Sequence, residues 1–140
     1  MHLHAPVEHT GEFRMSETHK TILQKANAAI TQGDCEGFLA FCTDDTQWNF
    51  VGDRTLSGKQ AVREWMATAY KEPPRFEVHR LIADGDFLSA VGEITLKDEA
   101  GKTARHAYCD VWRFRDGKLA ELQAFVVEAR LEGDAPARQG

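Results

Sequence analysis

Residues 103–128 read TARHAYCDVWRFRDGKLAELQAFVVE. Two runs of alternating apolar and polar residues flank Asp116-Gly117. Asp-Gly between such runs is a strong hairpin signal, because both central residues tolerate positive φ. The pattern therefore predicts paired antiparallel strands over 103–115 and 118–128. Working backwards, Arg75 to Ala83 and Phe87 to Lys97 meet across Asp84-Gly85. A longer turn through Glu99-Ala100-Gly101 leads into Thr103. The C-terminal half thus reads as four strands in succession.

The N-terminal half carries a different period. From Ser16, Ile22, Ala26, Ala29 and Ile30 recur on one helical stripe. Ser16 is an N-cap candidate, Gly33 stops the helix, and Asp34 caps a short second one. Phe38, Leu39, Phe41 and Cys42 form its apolar face, and Thr43-Asp44-Asp45 ends it. Thr46 to Val51 reads as a strand with Trp48 and Phe50 on one side and Gln47 and Asn49 on the other. Ser57-Gly58-Lys59-Gln60 has the spacing of a capping box. Ala61, Val62, Trp65, Met66 and Ala69 then form a third stripe, and Pro73-Pro74 prevents its continuation. Helices grouped ahead of a sheet point to the α+β class.

The 140 residues make about one domain. Boundaries are expected at a flexible arm over 1–15, a domain over 16–130 and a frayed tail over 131–140. The net charge of −5 gives no basic footprint for nucleic acid. No apolar run is long enough for a membrane span. Met1 to Arg14 lacks the apolar stretch of a signal peptide, so the cytoplasm is the default expectation. Cys35, Cys42 and Cys109 are an odd set without a C-x-x-C, expected to be reduced thiols. His2, His4 and His9 have no carboxylate or cysteine spaced among them as a metal site needs. Neither a metal nor a cofactor is expected.

Three segments together resemble a known family. They are Ala29-Ile30-Thr31-Gln32-Gly33-Asp34, then Phe41-Cys42-Thr43-Asp44-Asp45-Thr46, then Leu56-Ser57-Gly58-Lys59-Gln60-Ala61-Val62. A fourth is Tyr108 to Lys118. The chain resembles the SnoaL-like group over roughly residues 16–130. That group belongs to the superfamily of ketosteroid isomerase, scytalone dehydratase, limonene epoxide hydrolase and nuclear transport factor 2. The resemblance implies a cone-shaped, cystatin-like fold. Three N-terminal helices would pack on a curved, mainly antiparallel sheet and enclose a pocket. It also implies a homodimer through the outer face of the sheet.

Strand alternation places Tyr108, Asp110 and Trp112 on one face and Cys109, Val111 and Arg113 on the other. The resemblance turns the first face towards the pocket, with Ala124 beside it. Trp48 and Phe50 would enter from the short strand, and Trp65 and Met66 from the third helix. Asp110 is the sharpest candidate, because an acid among aromatics has its pKa raised. Its position matches an acid of both ketosteroid isomerase and limonene epoxide hydrolase. The alternative is a structural carboxylate paired with an arginine such as Arg105. His79 is a candidate partner for Asp110 in acid/base chemistry, and Tyr108 a third catalytic candidate. His106 shares the Asp110 face nearer the strand start. Glu93 is expected either in the pocket or at a dimer edge.

Other features of those enzymes are missing. The base position of ketosteroid isomerase falls on Phe50 or Asn49, and its first-helix tyrosine on Ala26. The arginine and final-strand acid of the epoxide hydrolase become Tyr108 and Ala124. The expected function is a small-molecule pocket protein acting on a hydrophobic substrate by acid/base chemistry at Asp110. The reaction class would be isomerase, lyase or cyclase. A non-catalytic binder of a small apolar ligand and a dimeric interaction domain are the alternatives.

Overall fold

The computed structural model describes residues 5–97 and 100–129, with the side chains of the first helix described from Arg14 onwards. The elements run α1 (Ala5–Thr31), α2 (Cys35–Leu39), β1 (Cys42–Phe50), β2 (Arg54–Ser57), α3 (Lys59–Ala69), β3 (Arg75–Asp84), β4 (Phe87–Lys97), β5 (Thr103–Arg115) and β6 (Lys118–Glu128). The six strands form one sheet in the order β2-β1-β6-β5-β4-β3. All neighbours are antiparallel except β1 and β6, which run parallel. The α+β class and the cone-shaped fold are as expected, with the helices covering one face of a curved sheet.

The Asp116-Gly117 hairpin forms as its sequence dictates. Both residues have positive φ, 53° and 76°, and Arg115 pairs with Lys118 across them. The other hairpin turns one residue later than expected. Asp84 pairs with Phe87, so Gly85 and Asp86 form the turn, and Gly85 supplies the positive φ of 60°.

Local signals misplace several boundaries in the first half. Helix α1 starts at Ala5 rather than Ser16, so residues 5–15 continue its backbone. The expected tail, residues 131–140, lies outside the described residues, as do His2 and His4. Asp34 caps α2, accepting a hydrogen bond from the Gly37 N–H at 2.9 Å. That helix ends at Leu39, and Cys42 to Asp45 belong to β1 instead. Cys42 pairs with Leu119, a long-range contact that residues 42–45 alone do not reveal. Strand β2 has no local signal of its own. The turn at Gly52-Asp53 folds Arg54–Ser57 back onto β1, with Phe50 opposite Arg54. Ser57 is thus a strand residue, and no side chain caps α3, whose N-cap is Gly58.

The core lies between the helices and the inner sheet face. Leu23, Ala26 and Ile30 descend from α1, Phe38 and Leu39 from α2, and Val62 and Met66 from α3. They meet Trp48, Leu88, Trp112, Phe114 and Leu122 of the sheet. His19 of α1 stacks on Phe114 with ring centroids 4.0 Å apart. Thr46 is fully buried where the β1–β6 register shifts, and its hydroxyl reaches the carbonyls of Leu119 and Ala120 at 3.1 Å. That contact satisfies the polar group that burial would otherwise penalise.

Candidate functional site

A cavity of about 440 Å³ opens between the helices and the inner sheet face. Register sets the sheet face on which it opens. Leu88, Trp112, Leu122 and Trp48 stand side by side across four strands, and Ala90, Asp110, Ala124 and Phe50 form the next row. Gly92, Tyr108 and Val126 form a third. Of the expected site residues, Trp48, Phe50, Trp65, Tyr108, Asp110, Trp112 and Ala124 line the cavity.

Two expectations fail. Met66 is 1% exposed in the core and does not line the cavity. His79 is exposed and lies outside the cavity, its Nε2 3.6 Å from Glu77 on its own strand. The reason is a β-bulge. Val78 pairs with Gly92 and Arg80 with Val91, leaving His79 as the extra residue. A bulge interrupts the two-residue alternation on which the facing of His79 rested. The His79–Asp110 pair therefore does not form.

Glu93 also faces away from the cavity, where it meets Arg105 at 3.3 Å. Arg105 is thereby occupied, and Asp110 has no ion-pair partner among the described residues. Asn49 points to the outer face and accepts a hydrogen bond from Thr55 at 3.3 Å. Phe50 lines the cavity, and Ala26 is core. Neither position expected to carry the ketosteroid isomerase base supplies one.

Asp110 combines depth with contact to the cavity. Burial raises its carboxyl to about 7. Tyr108 lies two residues away on the same face, and burial followed by the Asp110 charge raises its hydroxyl to about 12. Tyr70, at the C-cap of α3, also lines the cavity, although local sequence does not mark it as a site residue. Burial first, and then Asp110, Cys35 and Tyr108, raise its hydroxyl well above the ordinary range. It follows Val62 and Met66 at four-residue intervals, a signal that extends the α3 stripe by one position. Among the described residues, the side chains of Tyr70, Tyr108 and Asp110 make no hydrogen bond to other protein groups. Three polar groups thus meet an apolar space without partners in the fold.

The walls are aromatic. Trp48 and Trp112 meet edge to face at 5.5 Å, Phe50 and Trp65 lie 4.8 Å apart, and Trp65 and Tyr70 lie 5.0 Å apart. Such surfaces suit a flat apolar body. A protonated Asp110 can donate to an oxygen gaining charge, and a deprotonated one can accept a proton.

Residues 23–122 match the model of the SnoaL-like domain. The chain belongs to the SnoaL-like family. Solved structures agree on its fold. An NTF2-like protein of unknown function from Cytophaga hutchinsonii ATCC 33406 superposes with a TM-score of 0.66 at 23% identity, covering 81% of this chain and 99% of that one. An LEH-like epoxide hydrolase of M. tuberculosis gives a TM-score of 0.70 at 16% identity, covering 79% and 84%. SalBIII, an epoxide hydrolase/cyclase-like enzyme with a role in pyran ring formation in the polyether salinomycin, gives 0.72 at 19% identity, covering 79% and 92%. At these identities the likeness establishes the SnoaL-like fold, while chemistry must be argued from the cavity.

Proposed function

We propose that this SnoaL-like protein binds a flat hydrophobic molecule in the cavity and acts on it by proton transfer at Asp110, without a cofactor. The ligand would carry an oxygen held by Asp110 with Tyr108 and Tyr70. Isomerisation, elimination and cyclisation all fit one acid that gives and retakes a proton. The observation that carries this reading is a carboxyl facing an apolar cavity with no protein partner and a pKa of about 7. A group poised near neutrality is suited to general acid/base work. The structural likeness to SalBIII is consistent with ring-forming chemistry, and the cavity exceeds the roughly 300 Å³ expected of a ligand site.

A non-catalytic binder is the second reading, favoured by Phe50 standing where a base is expected. The test uses 2-naphthol, a flat probe with one oxygen, followed through quenching of tryptophan fluorescence. Wild-type protein should bind it, and Asp110→Asn should weaken binding about tenfold. No quenching in the wild type would end both readings in favour of an interaction domain.

The reading includes a homodimer in the cytoplasm. Phe87, Phe125 and Val127 are 50%, 43% and 65% exposed on the outer sheet face. A second copy would cover this apolar surface. The three cysteines are free thiols, which suits a reducing compartment.

A further inference from the structure

We propose that His106 is the base of this cavity, acting at the opposite end of the substrate from Asp110. The inference rests on the pocket reading above and assigns the partner that Asp110 otherwise lacks.

His106 lines the cavity and shares the inner face of β5 with Tyr108 and Asp110. Its Nδ1 lies 3.2 Å from the Ala104 carbonyl oxygen. A carbonyl only accepts, so the neutral ring making this bond carries its proton on Nδ1 and leaves the Nε2 lone pair free. That local anchor fixes the tautomer and the ring, as an orienting partner does for a catalytic histidine. The other cavity-lining groups are worse placed. Asp53 is exposed in the β1–β2 turn beside Arg54, 3.5 Å away. Tyr70 and Tyr108 hold their protons through neutrality, their hydroxyls being raised by burial.

The spacing selects a substrate class. His106 and Asp110 are four residues apart on one strand, so their Cα atoms are roughly 13 Å apart at about 3.3 Å per residue. They cannot share one proton. They can act on two ends of one conjugated ring system. A ligand oxygen takes about 2.7 Å of that span as a hydrogen bond. A carbon at near-attack range takes about 3–3.5 Å more. About 7 Å of the Cα span remains. An oxygen and an acidic carbon facing each other across a six-membered ring cover it once both side chains lean inwards, whereas adjacent atoms leave it too wide.

The step balances without a further reactant. Nε2 takes the proton from carbon, and the C–H pair enters the ring π-system. The C=O π pair moves onto oxygen, which takes the Asp110 proton. Imidazolium and carboxylate remain. Return of a proton from the imidazolium to carbon restores His106, and return of the enol proton from oxygen restores Asp110.

Anthrone has this cross-ring relation and serves as the probe. In D2O without oxygen, the protein should speed exchange of its C10 hydrogens, read by NMR. His106→Gln should lower the rate about 100-fold. Added imidazole should restore it in His106→Gly, which separates a lost base from a lost fold. Equal rates in wild type and His106→Gln overturn the proposal. So does a rate lost together with the near-UV tryptophan signal and not restored by imidazole. Failure of 2-naphthol to bind the wild type strikes the pocket reading itself. Binding with exchange independent of His106 strikes His106 alone.

Discussion

Asp110 stands directly opposite Ala124 in the β5–β6 register. The methyl group of Ala124 leaves the space beside the carboxyl open, and both residues line the cavity. A larger side chain at 124 would project into that space. Ala124→Leu should therefore weaken 2-naphthol binding more than tenfold. Its stability cost should stay within the 1–3 kcal/mol typical of an added side chain. Fluorescence titration beside thermal melts checks both halves. Unchanged binding would mean that the ligand lies elsewhere.

The raised Asp110 carboxyl has a thermodynamic consequence with a definite sign. The folded chain holds this proton up to a pKa of about 7, and the unfolded chain releases it near 3.9. Between those values the folded state binds more protons, so the contribution is full below about pH 4 and is lost as pH rises towards 7. Asp110→Asn removes that loss. Urea unfolding should find the variant about 2–4 kcal/mol more stable than wild type at pH 8 and little different at pH 4. A variant destabilised by about 3–5 kcal/mol at both pH values would instead mark Asp110 as half of a buried pair.

Gly92 should not tolerate a side chain. A Cβ there would lie 2.1 Å from the Glu77 carbonyl oxygen and 2.9 Å from the Tyr108 hydroxyl. The first contact is backbone next to the bulge and cannot swing away. Gly92→Ala should cost about 1–3 kcal/mol through overpacking, with a lowered melting temperature as the readout. Loss of stability without displacement of Tyr108 would assign the strain to β3 alone.

The outer sheet face should hold a second copy. Light scattering at micromolar concentration is expected to give twice the chain mass. Phe125→Glu should shift it to a monomer, because a charge in the centre of an apolar interface is costly to bury. A wild-type monomer would refute the dimer.

Most of the fold could be read locally because β4, β5 and β6 carry their own alternation and Asp-Gly turns. Their spans match the expected ones at both ends. What escaped depends on distant partners. Cys42 to Asp45 look like the end of a helix until Leu119 arrives beside Cys42. Arg54 to Ser57 are a strand only because β1 lies next to them. The site followed the same division. Asp110, Tyr108 and Trp112 follow from alternation on one strand. His79 does not, since the bulge at β3 is set by its pairing with β4. Tyr70 caps a helix, and only the tertiary fold brings it towards Asp110.

The position of β6 governs when this molecule can exist during synthesis. It joins β1, on one side, to β5, on the other. Until residues 118–128 leave the ribosome, no strand joins β1 and β2 to the β3–β5 sheet. The nascent chain thus carries two unfinished pieces with exposed strand edges and no closed cavity. Such edges are open to wrong pairing. A stop codon anywhere before β6 removes the final strand whole, leaving Asp110 without the neighbour that frames it.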